Sequence, residues 1–458
     1  MTGQPAERQY NAERSLQRWV NETSEGLAEI PRFQRLGTVQ EVAGLTVVSN
    51  GPPAQVGELC RIEPRGNRPA VEAQVVGFRD NRVLLMPLGE LQGVEAHCPV
   101  IAAGEQLSVP VGPSMQGRIV DAFGAPVDGA GSITAHARRP VHGNAPRLVQ
   151  RRRITTSMSV GVRAIDLLLT CGKGQRLGVF GGSGVGKSVL MGMIARNSSA
   201  DVNVIALVGE RGREVLDFVE EKLGPALDRS IVVVATSDQP PLVRLQAGFA
   251  ATTIAEHFRD RGADVLLMMD SITRLARAQR EIGLTVGEMP TNRGYPPSVY
   301  EMIPRLVERV GPAVGGTITG IYTVLVEGDD MLEPVADTVR ATLDGHIILS
   351  RELAQRGHYP AIEVTASVSR LMDRVIDESH REDASVCRRL LQAHRDIEDL
   401  LAVGAYEPGA DSWVDAAVQL NDDLNALLRQ DLDEEPDFSE ARVQLRRIVR
   451  RAREMADA

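Results

Sequence analysis

The chain has 458 residues, 43% hydrophobic and 24% charged, which excludes a wholly disordered protein and leaves material for a substantial core. Its 51 Lys and Arg against 61 Asp and Glu give a net charge of −10, and only 3% of residues are aromatic. Broad nucleic-acid binding is therefore not expected, and base-stacking platforms would have to be sparse. Cys60, Cys98, Cys171 and Cys387 lie far apart with no CxxC pair, so neither a disulfide framework nor a zinc site is predicted. No run of about 18 apolar residues occurs and the N-terminus has no apolar signal core, so a soluble cytoplasmic protein is expected.

From the N-terminus, residues 5–30 read as an amphipathic helix, with Leu16, Val20, Thr23 and Leu27 at three- and four-residue spacing. Such a helix either packs on its own domain or docks a partner. Residues 33–110 read as short strands, for example 44–49, 71–78, 82–87 and 106–109, and predict a small barrel or sandwich. Residues 111–153 are rich in Gly, Pro and Arg and read as a linker ending in the basic run Arg151, Arg152 and Arg153.

Between 154 and 370 the pattern becomes α/β. Nearly continuous apolar runs at 177–180, 202–208, 231–235 and 265–269 read as strands buried on both faces of a mostly parallel sheet. Helices are predicted between them at 188–196, 214–222, 242–261 and 272–280. Residues 371–458 read as helical, with an acidic break at 431–437. Arg442, Arg446, Arg450 and Arg453 then form one stripe, either a solvated face or a partner site.

Gly181, Gly182, Ser183, Gly184, Val185, Gly186, Lys187 and Ser188 have the spacing of a phosphate-binding loop, after a predicted strand and before a helix that continues through Val189. Glycines let backbone N–H groups close on phosphate oxygens, and the helix N-terminus adds partial positive charge. Lys187 is expected at the β- and γ-phosphates, and Ser188 at Mg²⁺. Asp270 ends an apolar strand and can hold the same Mg²⁺ through water. Glu210 ends another strand; the local motif fits either a carboxylate that orients the attacking water or a structural partner of Arg211 or Arg213.

The chain resembles the type III secretion export ATPases of flagella and injectisomes, relatives of the catalytic subunit of rotary ATP synthases. The resemblance rests on an ordered set of stretches: GRIVD at 117–121, GVRAID at 161–166, GQRLG at 174–178, the phosphate loop, GERGREV at 209–215, ATSDQP at 235–240, LLMMDSITR at 266–274, GYPPS at 294–298, VEGDD at 326–330, YPAI at 359–362 and SVSR at 367–370. One departure is Glu363, where the family usually has Asp.

The resemblance implies a RecA-like P-loop core at 154–370, a β-barrel domain at 33–110, a linker at 111–153 and a C-terminal helical domain at 371–458. The segment 1–32 becomes a docking helix for a stator-like regulator. The resemblance further implies a homohexamer with ATP/ADP sites between subunits. Glu210 positions the hydrolytic water, Arg211 and Arg274 stand near the γ-phosphate, and Arg370 is an arginine finger delivered to the neighbouring subunit. Tyr359 stacks on adenine, and Tyr406 closes the other side. Asp329 and Asp330 are pore-facing candidates for a coiled-coil stalk. Implied partners are chaperone–cargo complexes and the inner-membrane export gate, with no nucleic acid. An RNA-dependent hexameric translocase would need a basic, aromatic-bearing N-terminal domain, and a non-catalytic rotary ATPase subunit would lack Glu210.

Overall fold

The computed structural model describes residues 35–457, apart from 67, 327 and 329. The expected helix at 5–30 and Asp329 lie outside the described residues. The chain divides into two compact units, Met1–Glu105 and Gln106–Ala458.

The first unit is a closed barrel. Its strands are β1 (Leu36–Ala43), β2 (Thr46–Asn50), β3 (Glu58–Ile62), β4 (Val71–Arg79), β5 (Arg82–Pro87) and β6 (Pro99–Gln106), ordered β1-β2-β5-β4-β3-β6. Alternating residues point inward, so Val39, Ile62, Ala73, Val75, Leu85 and Val100 fill the lumen. Closure leaves no edge strand open, and this settles barrel against sandwich. β2 starts at Thr46 rather than 44 because Gly44 has φ of +59° and belongs to the β1–β2 turn.

The second unit begins with β7 (Ser108–Val111), β8 (Arg118–Val120) and β9 (Ala137–Pro140). β7 and β9 pair antiparallel, while β8 joins the edge of the central sheet beside the strand Ser230–Thr236. The Gly- and Pro-rich composition of this stretch therefore hides ordered structure. Arg309, 1% exposed, holds it against the helix Pro241–Arg259. Its guanidinium donates to both Glu256 oxygens at 2.9 and 2.6 Å, to Thr253 Oγ1 at 2.8 Å and to the Val141 carbonyl at 2.8 Å.

After the short pair β10 (Ser157–Met158) and β11 (Cys171–Gly172) come β12 (Arg176–Gly181), β13 (Val202–Glu210), β14 (Ser230–Thr236), β15 (Asp264–Asp270), β16 (Thr317–Leu325), β17 (Gly345–Ile348) and β18 (Val368–Ser369). The sheet order is β18-β17-β12-β16-β15-β13-β14-β8, parallel throughout except for β18. The predicted strands between 177 and 269 are present. β16 and β17 escaped the apolar-run criterion, because β16 carries Thr317, Thr319, Gly320 and Thr323. The central helices Lys187–Asn197, Pro241–Arg259 and Ile272–Val286 match the pattern within a few residues at most ends. The last of them runs on to Gly287, whose φ of +97° caps it.

The C-terminal helices Glu378–Asp396, Ser412–Leu428 and Phe438–Ala456 are each capped by an aspartate, Asp377, Asp411 and Asp437. Their apolar faces join the core cluster through Leu390, Leu420, Leu445 and Val449, packed with Leu167 and Ile165. The arginine stripe closes on this same bundle. Arg442 meets Asp377 at 2.9 Å, Arg446 meets Asp383 at 3.4 Å and Arg453 meets Glu382 at 3.6 Å. All four cysteines are buried and free, and burial pushes the Cys171 thiol well above its ordinary pKa, as befits an inert side chain.

Candidate functional site

β12 delivers the chain at Gly181 to the phosphate loop, and the helix Lys187–Asn197 carries it away. Gly186, the residue before that helix, has φ of +94°, a conformation that disfavours any side chain. The Lys187 ammonium lies inside the loop, donating to the Gly181 carbonyl at 2.9 Å and also to the Gly182 carbonyl. Together with Ser183, Gly184 and Ser188 it lines a cavity of about 390 Å³.

The opposite wall comes from the C-terminal ends of β13 and β15, where α/β sheets hold their ligands. Glu210, Asp270 and Arg274 all face this cavity. Arg274 donates to Glu210 Oε2 at 2.9 Å and to the Gly209 carbonyl. A side chain at residue 209 would crowd Arg274, since a Cβ there meets its Cδ at 3.0 Å. The register of β15 with β16 puts Met269 opposite Tyr322, so Asp270 falls beside Thr323 and accepts its hydroxyl at 2.6 Å. Burial raises the Asp270 pKa, while Thr323, Lys187 and Arg274 oppose that shift.

Burial also pushes Glu210 up, to about 8, reinforced by a hydrogen bond with Glu214 and by the charge of Asp270. Glu214 is held low by the same bond. Of the two carboxyls beside the phosphate cavity, Glu210 is therefore the one pushed toward its protonated form. Glu214 and Thr323 were not read from the sequence. Glu214 was visible only as part of the 209–215 stretch, and Thr323 needed the unrecognised strand β16.

A second cavity, about 430 Å³, adjoins the first through Gly184, Gly186 and Val189. Val185, Leu349 and Tyr359 line it on the core side. The far wall is not Tyr406, whose hydroxyl donates to Asp415 in the C-terminal bundle. It is Gln430, Asp431 and Leu432, at and just before the start of the stretch that composition marked only as an acidic break. Gln430 N–H donates to the Tyr359 carbonyl at 2.9 Å and locks this wall to the core.

Arg370 follows β18, exposed, and is absent from the lining of both cavities. Its backbone N–H donates to the Asp344 carbonyl at 3.0 Å and its side chain to the Leu343 carbonyl at 3.2 Å. Arg211 is exposed at the start of the helix Gly212–Asp217 and does not line the phosphate cavity either. Asp330 accepts from Arg293 at 2.8 Å in an exposed loop. Glu363 accepts from the Thr365 hydroxyl at 2.8 Å and pairs with Arg395 at 3.2 Å, so the longer carboxylate is accommodated locally.

A phosphate loop facing two strand-end carboxylates, Asp270 buried and Glu210 half-buried, with an apolar pocket alongside, defines a P-loop nucleotide hydrolase. Residues 161–369 match the nucleotide-binding domain of the ATP synthase alpha/beta family, and residues 39–104 match that family's beta-barrel domain. Residues 376–447 match the T3SS EscN ATPase C-terminal domain. The chain belongs to the type III secretion and flagellum-specific ATPases, within the ATP synthase alpha/beta family. It is 51% identical to the flagellum-specific ATP synthase of Treponema pallidum, over 90% of this chain and 93% of that protein. It is 48% identical to the type 3 secretion system ATPase of Xanthomonas euvesicatoria, over 89% of this chain and 92% of that protein. The structure of assembled EscN from enteropathogenic E. coli has a TM-score of 0.85 at 39% identity, covering 90% of this chain and all of that one. EscN in complex with its central stalk EscO gives 0.84 at 39% identity, with the same coverage.

Proposed function

We propose that this export ATPase hydrolyses Mg-ATP in the cavity between the phosphate loop and the ends of β13 and β15, and that a neighbouring subunit completes the site. The observation that carries this reading is the convergence of Lys187, Glu210, Asp270 and Arg274 on one cavity. Loop N–H groups and Lys187 hold the phosphates. Glu210 in its ionised form accepts a hydrogen bond from the attacking water and aligns it with the γ-phosphorus. Arg274 keeps Glu210 oriented. Arg211, on the exposed helix start, approaches the γ-phosphate when the site closes.

The Ser188 hydroxyl and the Asp270 carboxylate, steadied by Thr323, are hard oxygen donors that suit Mg²⁺. Among the described residues no group of three or more His, Cys, Asp or Glu forms a metal cage, which fits a cation that arrives with the nucleotide. When bound, Mg²⁺ neutralises charge on the β- and γ-phosphate oxygens.

Arg370 acts in trans, stabilising charge that develops on the neighbour's γ-phosphate. Its exposure away from its own chain's cavities supports this role, as does the likeness to assembled EscN. The assembly is a homohexamer whose pore takes a coiled-coil stalk, as EscN takes EscO, with Asp330 toward that pore. The segment at 1–32 docks a stator-like regulator. The barrel at 33–110, the linker at 111–153, the core at 154–370 and the helical domain at 371–458 then divide the work of ring-building, hydrolysis and contact with chaperone–cargo complexes. The enzyme works in the cytoplasm at the inner-membrane export gate; no helix among the described residues is long and apolar enough to cross a membrane.

The test is Glu210→Gln. Turnover of Mg-ATP should fall by about 100-fold or more while ATP binding persists. Turnover at the wild-type rate would remove Glu210 from this role.

A further inference from the structure

Arg370 leaves the fold from a strand only two residues long. β18 pairs with β17 through Ser369 with Gly345 and Val368 with His346, and the ladder ends there. So short a pairing fixes a strand end weakly. A charge that stabilises a transition state must be held closely, since a misplacement of about 1 Å can cost about 100-fold in rate. The backbone origin of residue 370 therefore needs a further support.

Gln175 supplies one. It lies just before β12, is 0% exposed, and has its oxygen and both amide hydrogens engaged. Its Oε1 accepts the Gly172 N–H at 2.8 Å, which fixes the way the amide faces. Its Nε2 donates to the Ser369 hydroxyl at 3.0 Å and to the Asp344 carbonyl at 3.3 Å. These two groups hold residue 370. Ser369 precedes it and donates its own hydroxyl to the Thr170 carbonyl at 2.9 Å. The Asp344 carbonyl accepts the Arg370 N–H at 3.0 Å. Asp344 is fixed in turn, because Arg176 Nε and Nη2 grip its carboxylate at 2.9 and 3.0 Å. A buried glutamine needs partners wherever it lies. Here both of its donors are spent at the base of one exposed arginine.

We propose that Gln175, acting through Ser369, is the positioning residue of the Arg370 finger: it fixes the end of β18 so that the guanidinium is presented to the neighbouring subunit. This rests on the reading of Arg370 as a residue that acts in trans. Gln175 lines neither the phosphate cavity nor the pocket beside it, so its side chain serves the neighbour's site and not its own.

The experiment puts a substitution on one side of the shared site at a time. Full-length Lys187→Ala and Arg370→Ala chains are mixed, so each active interface takes its phosphate site from an Arg370→Ala chain and its finger from a Lys187→Ala chain. Gln175→Met, which keeps the bulk and removes the amide, is then added to one chain or the other. On the finger-donating Lys187→Ala chain it should lower the recovered Mg-ATP turnover by at least about tenfold, with KM for ATP unchanged. On the Arg370→Ala chain, which gives no finger, recovery should stay within about twofold of the parent mixture. Ser369→Ala, which removes only the hydroxyl, should repeat both results with a smaller loss, and it decides the question if Gln175→Met does not fold. Equal losses in the two placements would overturn the inference, because a purely structural role weakens whichever chain carries the change. So would full recovery with the substitution on the finger-donating chain. A parent mixture that recovers no turnover would instead defeat the reading of Arg370 in trans, and the inference would fall with it.

Discussion

Glu210 shows how much a single position depends on its surroundings. By sequence it was a strand-end glutamate with arginines on either side of its motif, open to a structural reading. In the fold its partner is Arg274 and its pKa is raised in part by Glu214, two residues that arrive from different helices. The proposed role needs Glu210 ionised, and its pKa, raised from 4.5 to about 8, then makes a signed prediction. The acid form dominates below that value, so kcat/KM should rise with pH through the neutral range and level off above about 8. Glu214→Gln removes the carboxyl whose charge disfavours ionised Glu210, so the rise should move to lower pH. A pH profile in which the variant and the wild type superpose would mean that Glu214 does not tune this site. Asp270, by contrast, was legible from the apolar strand that ends on it. The hydroxyl that fixes it was not, because Thr323 lies on a strand whose threonines and glycine mask its period.

At the scale of elements, motif and context agreed where local chemistry decides the conformation. The phosphate loop, its strand and its helix needed nothing distant in sequence. The stretch 111–153 was harder, since Gly and Pro there serve tight paths around β7, β8 and β9, and pairing with β14 is a long-range event. The arginine stripe read equally well as a free face, and only the position of the helix Glu378–Asp396 shows that Arg442, Arg446 and Arg453 meet Asp377, Asp383 and Glu382, while Arg450 stays exposed beside Glu454. The buried Arg309–Glu256 pair joins three such elements, and no pattern in the sequence marks it. Removing one partner leaves a buried charge with too few hydrogen bonds. Glu256→Ala should therefore destabilise the core unit by about 3–5 kcal/mol, seen as a lower denaturant midpoint. A loss below about 1 kcal/mol would mean that water or a rearranged Thr253 satisfies the guanidinium.

At the scale of the whole molecule, the second pocket joins the phosphate-loop core to the C-terminal bundle, because Gln430–Leu432 closes a cavity that Tyr359 opens. The arginine that the account assigns to catalysis points elsewhere, exposed and outside its own chain's cavities. In the proposed mechanism the active site therefore belongs to a pair of subunits. This is tested by mixing two variants, Lys187→Ala and Arg370→Ala, each expected to be nearly inactive alone. In a ring with random mixing, about a quarter of interfaces pair an intact Lys187 with an intact neighbouring Arg370, so turnover should recover to about that fraction of wild type. A mixture no more active than its parts, or an Arg370→Ala protein that turns over at the wild-type rate, would contradict a site completed in trans.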